Sequence, residues 1–219
     1  MTDRDAGLVR VDANGLLLEG NLLLPDNAHG IVVFAHGSGS SRFSSRNRHV
    51  AEVLRAGGHG TLLLDLLTRE EEAVDMRTAH LRFDIEMLAD RLVATVKWLR
   101  RTEEGGRLPV GYFGASTGGG AALVAAAAIP DEIHAVVSRG GRPDLAGPAL
   151  PQVEAPTLLI VGGDDAPVIE MNREAYDQMR CERRLEIVPN ASHLFEEPGT
   201  LERVAELARD WFRRWSTPA

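Results

Sequence analysis

The chain has 219 residues, with 24 Lys plus Arg against 32 Asp plus Glu, so it carries a formal charge of −8 and is expected to form one domain, 1–219. A chain of this size buries about 70% of its unfolded surface, so it needs no disulfide or metal, and its single Cys181 cannot form an internal bridge. The acidic balance argues against nucleic acid; the longest apolar run, Ala121 to Ile129, is far short of the roughly 20 residues of a membrane span, and Met1 to Arg10 is polar and charged, so a cytoplasmic protein without membrane contact is expected.

In chain order, Leu8 to Asp12 and Leu16 to Leu23 alternate about Asn14-Gly15, the signal of an antiparallel hairpin. Six further runs follow: Ile31 to Ala35, Thr61 to Asp65, Val110 to Phe113, Ala135 to Ser138, Thr157 to Val161 and Leu185 to Val188. Their apolar character is continuous rather than alternating, which marks strands covered on both faces in a parallel sheet. Between them, Leu81, Ile85, Leu88, Leu92, Val96 and Leu99 step by three or four and predict one helix, stopped by Gly105-Gly106. Gly118 to Ala128 predicts a small-residue helix lying close to the sheet, and Leu201 to Trp215 a terminal amphipathic one. Gly140 to Ala155 is Pro-rich and too short for a large lid, so the active face is expected to be open. The fold class is α/β: a mostly parallel central sheet with an N-terminal hairpin, helices on both faces and no large cap domain.

The motifs sit at the carboxyl ends of these strands. Val110 to Phe113 leads into Gly114-Ala-Ser116-Thr-Gly118 and then a helix, which is G-x-S-x-G in the strand, turn, helix setting that presents a serine hydroxyl above a sheet. The same glycines could suit a dinucleotide loop, but that loop normally follows the first strand of its unit and is followed by an acidic residue at the next strand end; here the loop is mid-chain and the next strand ends in Ser138-Arg139-Gly140. A nucleophilic serine needs a base, and the base an orienting group. His193, in the loop after the last strand, can reach over the sheet; Asp164 and Asp165 follow the strand Thr157 to Val161 and reach the same edge, and position alone leaves either as the orienter. His29 and His59 read as loop residues, and His49, His80 and His134 as helix or strand-edge positions. The order serine, aspartate, histidine is that of the α/β-hydrolase type. Ile31 to Ala35 runs into His36-Gly-Ser-Gly-Ser-Ser41, and a backbone N–H of that loop, assigned to Ser38, would pair with that of Thr117 as an oxyanion hole.

Through Phe34-Ala-His-Gly-Ser-Gly-Ser40, Gly114 to Gly118, Leu159-Ile-Val-Gly-Gly-Asp-Asp165 and Ala191-Ser-His-Leu-Phe195, the chain resembles the α/β-hydrolase superfamily, most closely its small lidless dienelactone hydrolase group. The resemblance implies Asp165 as the triad acid. It also implies a departure: dienelactone hydrolases proper use a cysteine nucleophile, whereas this chain has Ser116 and keeps Cys181 in a basic segment, so hydrolysis of dienelactone itself is not expected. Similar sequences occur fused to a phosphoribosyltransferase module, for which no segment is left over here.

Arg139 and Arg142 flank Gly140-Gly141 at the catalytic edge, where guanidiniums suit carboxylate or phosphate recognition, and are assigned to an anionic substrate group. Arg42, Arg46 and Arg48 follow the oxyanion loop, and Asp65 with Glu70 to Glu72 reads as an acidic loop. The expected activity is hydrolysis of a small-molecule ester, lactone or thioester through an acyl-enzyme, with short acyl groups preferred, no cofactor and no metal, by a monomer or homodimer. Peptidase, amidase or acyltransferase chemistry on the same triad, or a non-catalytic ligand receptor, are the alternatives.

Overall fold

The structure is a computed structural model that describes residues 7–103 and 105–216; Met1 to Ala6, most of the polar N-terminal stretch, lie outside the described residues. Asn14 and Gly15 both take positive φ, 58° and 88°, and close β1 (Leu8–Ala13) onto β2 (Leu16–Leu23) by the short turn that matches strand twist. β2 pairs antiparallel with β4 (Gly60–Leu64), and from there the sheet is parallel through β3 (Ile31–Ala35), β5 (Val110–Ala115), β6 (Ile133–Arg139), β7 (Thr157–Gly162) and β8 (Arg183–Val188). The order across its eight strands is β1-β2-β4-β3-β5-β6-β7-β8.

β3, β4, β5 and β7 are buried along their whole length, as uninterrupted apolar runs require. Their two faces build two cores. On one, α3 (Ile85–Leu99) and α4 (Thr117–Ala128) pack Leu88, Leu92, Ala121 and Ala125 against Val33, Leu62 and Tyr112. On the other, α1 (Ser45–Ala56) and α6 (Thr200–Trp215) pack Val50, Leu54, Val204, Ala208 and Phe212 against Val32, Phe34 and Phe113. α5 (Ala166–Gln178) adds a small cluster of Val168 and Ile169 on Val161. No described helix is long and apolar enough to cross a membrane.

Two helical expectations change. The helix predicted from Leu81 starts at Ile85, because Asp84 accepts the Met87 N–H as an N-cap; Leu81 to Phe83 form a separate 3-10 turn. It ends at Leu99, ahead of Gly105-Gly106, where the Thr102 hydroxyl donates to the Leu99 carbonyl. Glu70 to Glu72 are not a loop but the first turn of α2 (Arg69–Thr78), where acidic side chains suit the helix dipole. There Thr68 accepts the Glu71 N–H and Glu71 reaches back to the Thr68 N–H. Between β6 and β7, residues Pro143–Gln152 form 3-10 turns broken at Gly147, and no large cap interrupts the fold.

α4 lies so close to β3 that a Cβ on Gly118 would come within 2.2 Å of the Ala35 carbonyl oxygen and 2.6 Å of that of His36. Both obstacles are backbone, so the helix itself must move to admit a methyl group. Gly118→Ala is therefore expected to lower stability by about 1–3 kcal/mol. In a thermal melt, at about 2–4 °C per kcal/mol for a chain of this size, the midpoint should fall by several degrees.

Candidate active site

β5 turns into α4 through Ser116, which holds φ 51° and ψ −124°, a backbone conformation that costs a non-glycine residue on the order of 1–3 kcal/mol. It persists because its surroundings fix it: the Ser116 N–H donates to the Arg139 carbonyl at 3.2 Å, and the Ser116 carbonyl accepts N–H groups of Gly119 at 2.9 Å and Arg142 at 3.0 Å. Gly114 must be small here, since a Cβ would lie 2.5 Å from the Gly118 carbonyl oxygen. The serine hydroxyl stands half-buried at the first turn of α4, where unpaired helix amides favour negative charge.

His193 approaches from the other side of β6. Its Nδ1 is 2.6 Å from Asp165 Oδ2, with the side chains 38% and 15% exposed. Asp164, the neighbouring alternative, is exposed to solvent. With Nδ1 carrying the proton toward the carboxylate, Nε2 is left as the basic nitrogen. The ring lies against Gly140, its Cε1 3.5 Å from where a Cβ there would stand; Gly140 follows Arg139, the strand partner of Ala115, so the imidazole sits beside the serine turn. The histidine loop is pinned at both ends, by the Ser192 N–H donating to Glu197 at 3.0 Å and by Phe195, 2% exposed. That N–H, bonded to the Glu197 carboxylate, holds the acid below its usual range.

The oxyanion loop departs from expectation at one residue. The Ser38 N–H donates to Thr117 Oγ1 at 2.9 Å and is thereby occupied. Gly37 packs directly on the serine, a Cβ there lying 3.0 Å from Ser116 Cβ, and its N–H makes no hydrogen bond to the described residues. The Gly37 and Thr117 amides thus have no hydrogen-bond partner among the described residues, while the Thr117 side chain moors Ser38.

His36 belongs to this loop as a structural group. Its Nε2 accepts the Leu66 N–H at 3.1 Å, so Nδ1 carries the proton and donates to the Gly37 carbonyl at 3.0 Å. Burial holds its pKa below the ordinary value, with the Gly37 carbonyl and the charges of Asp65 and Glu72 opposing that shift. Beside the loop opens a cavity of about 320 Å³, walled by residues 36–41, the segment after β4, α2, Arg82 and Thr117.

The structure does not bring Arg139 and Arg142 together on one ligand. Gly140, at φ 51°, turns the chain between them. Arg139 is 5% exposed and points toward α1, donating to Asn47 Oδ1 at 3.3 Å and lying 5.8 Å over the Phe195 ring. Burial, helped by nearby Arg46, pushes its pKa down to about 10. Arg142 belongs to the α4 side and makes a two-pronged pair with Asp144 at 2.7 and 2.8 Å. Arg42 bonds Glu19 and Asp65, and Arg46 pairs with Glu196 at 3.4 Å. The guanidinium that does reach the cavity is Arg82, on a turn that the helical pattern from Leu81 concealed. His59 lies, as expected, in the loop before β4, at the opposite end of the sheet, where it is fully buried and bonds Ser216. Among the described residues no cluster of His, Cys, Asp and Glu could hold a metal ion.

The dienelactone hydrolase family model matches residues 18–216. The chain belongs to this family. A dienelactone hydrolase from Anabaena variabilis, known from a crystal structure, is 62% identical, with 95% of this chain and 96% of that one covered and a TM-score of 0.94. A serine hydrolase without a lid from Xanthomonas campestris shares the fold at 22% identity, covering 97% of this chain and 95% of its own, with a TM-score of 0.76. Sequences from two Mycobacterium tuberculosis strains bear the name of a phosphoribosyl transferase and are 58% identical over 204 residues, 93% of this chain. The chain spans about half the length of these curated relatives, 45%. Family and fold together give the chain the α/β-hydrolase architecture, with no large cap domain among the described residues.

The state of His36 yields a pH dependence. Because burial depresses its folded pKa below about 6.5, the unfolded chain binds the proton more readily, so stability is full above that value and falls as the pH drops below it. Urea midpoints at pH 7.5 and 5.5 should therefore differ, and His36→Gln, which keeps an acceptor for the Leu66 N–H but does not titrate, should narrow the gap.

Proposed function

We propose that the protein is a serine hydrolase that cleaves small carboxylic esters, lactones or thioesters through an acyl-enzyme. The observation that carries this reading is the pairing of a strained serine turn at Ser116 with a histidine oriented by Asp165 at 2.6 Å. His193 Nε2 takes the Ser116 proton as Oγ attacks the carbonyl carbon. The resulting alkoxide is held by the N–H groups of Thr117 and Gly37, the latter in place of Ser38, each of a kind whose loss costs about 3–4 kcal/mol. His193 then returns the proton to the leaving oxygen or sulfur, the bond to it breaks, and water repeats the sequence on the acyl-serine. Asp165 keeps the imidazole in the productive tautomer and stabilises its charged form. The transferase name of the mycobacterial relatives we assign to the part of those longer proteins outside the shared 204 residues.

Three measurements test the reading. Ser116→Ala should abolish p-nitrophenyl acetate hydrolysis and labelling by a fluorophosphonate probe without loss of fold; retention of more than a few per cent of the wild-type turnover would reject the serine. Asp165→Asn should lower kcat by about 10⁴-fold, the effect of presenting the wrong tautomer, whereas a greater loss from Asp164→Asn would reassign the orienting acid. Across acyl groups of two to twelve carbons, kcat/KM should peak among the short chains, because the cavity lies at the small end of the roughly 300–1,000 Å³ of ligand sites.

A further inference from the structure

The cavity beside the oxyanion loop has a sidedness that the proposed reaction makes meaningful. In acyl transfer the leaving group departs toward the histidine that protonates it. Here His193 and Gly140 lie on the β6–β7 side of Ser116, whereas the cavity is walled by the oxyanion loop, Thr117 and α2 and does not include the histidine. A substrate placed with its carbonyl oxygen at Gly37 and Thr117 therefore extends its acyl arm into the cavity. Leu66, Leu67, Leu88 and Met76 give the cavity apolar surface; its charged lining is Arg82 with Asp65, Glu72 and Asp75, of which Asp65 is paired with Arg42 and Asp75 with Arg82.

Arg82 is held in one orientation. Its Nε donates to Asp75 Oδ2 at 2.5 Å and its Nη2 to the Asp75 carbonyl oxygen at 3.1 Å, while Asp75 Oδ1 accepts the N–H groups of Leu81 at 2.8 Å and of Arg82 itself at 3.1 Å. Asp75 is 2% exposed, so this carboxylate is a buried clamp with both oxygens engaged. The third nitrogen, Nη1, makes no hydrogen bond among the described residues and stands 3.7 Å from where a Cβ on Gly39 would lie, at the rim of the oxyanion loop. The guanidinium thus offers the cavity a fixed pair of N–H donors while its charge is already balanced by Asp75. Glu72, on the same wall, opposes a second negative charge.

We infer that Arg82 is a specificity-determining residue of an acyl pocket that selects short acyl arms ending in an uncharged hydrogen-bond acceptor, such as a ketone or hydroxyl oxygen, over plain alkyl or carboxylate arms. This rests on the acyl-enzyme reading above and moves substrate recognition from Arg139 and Arg142 to a donor that the clamp orients. An apolar arm leaves Nη1 to water at the cavity mouth, a carboxylate arm meets Glu72, and a neutral acceptor satisfies Nη1 without either penalty.

The test compares p-nitrophenyl esters of hexanoate, 5-oxohexanoate and hydrogen adipate. The wild type should give a kcat/KM about tenfold higher for the oxo ester than for each of the other two. In Arg82→Met, which keeps the stem and removes the donors, the oxo-to-alkyl ratio should fall to about one, while Arg82→Lys should restore it in part. Should Arg82→Met fold poorly because Asp75 is left unpaired, Asp75→Asn combined with Arg82→Met retains an acceptor for the Leu81 and Arg82 amides and gives the same ratio. A wild type that is indifferent to the oxo group, a preference for adipate, or a ratio unmoved in either variant would overturn the inference. Absence of Ser116-dependent turnover on all three esters and on the acetate would instead overturn the hydrolase reading itself.

Discussion

The site depends on how closely the first turn of α4 is pressed against the carboxyl end of β3. That approach leaves no space for a side chain at Gly118 and little at Gly37, and the chain accommodates it by holding Ser116 at positive φ. Three consequences follow from the one contact. The serine is held at positive φ at the head of α4, Gly37 packs against its Cβ, and the Thr117 hydroxyl comes within reach of the Ser38 amide. A helix of small residues is a condition for all three, because larger side chains on that face of α4 would hold it away from the strands.

Two histidines divide the work on either side of this contact. His193 is partly open to solvent, tied to a carboxylate and left with a free basic nitrogen, which suits a group that must gain and lose a proton. His36 has both ring nitrogens committed to backbone groups, joining the oxyanion loop to the segment after β4. The same side chain is tied to a carboxylate through one nitrogen in one setting and is a two-ended bracket between backbone groups in the other; what differs, among the described residues, is whether Nε2 has a partner. The buried amide that His36 accepts would be costly to leave unpaired, so the loop geometry resists displacement.

Much of this was legible in the order of residues. Buried parallel strands write themselves as unbroken apolar runs, and the ends of those runs located Ser116, His193 and the aspartate pair. The choice between Asp164 and Asp165 was not legible from position, since neighbouring residues on a turn differ only in which way the turn rotates them. That the Ser38 amide is engaged by the Thr117 hydroxyl was not legible either, being a contact between residues 79 apart that no spacing announces. Arg139 and Arg142 looked like a pair across two glycines, but the turn at Gly140 sends them to opposite faces of the sheet. α2 escaped apolar periodicity because its only buried residue is Asp75, yet Thr68-x-x-Glu71 was a capping signal available to be read. The acid that clamps Arg82 sits on that helix, so missing the helix meant missing the pocket.

The packing of α6 carries a consequence for how the chain is made. Val204, Ala208 and Phe212 share the cover of one face of the sheet with α1, and Phe212 lies against Gly111 in the strand that leads to the serine. Until residues 200–215 have emerged from the ribosome, β3 and β5 expose an apolar surface that no earlier element except α1 can cover. Early segments can collapse around α3 and α4 during synthesis, but the strand that leads to the serine is covered by Phe212 only when α6 docks. Nascent chains of this protein therefore pass through an interval in which the core around α3 and α4 can form while the face that α6 covers is still open.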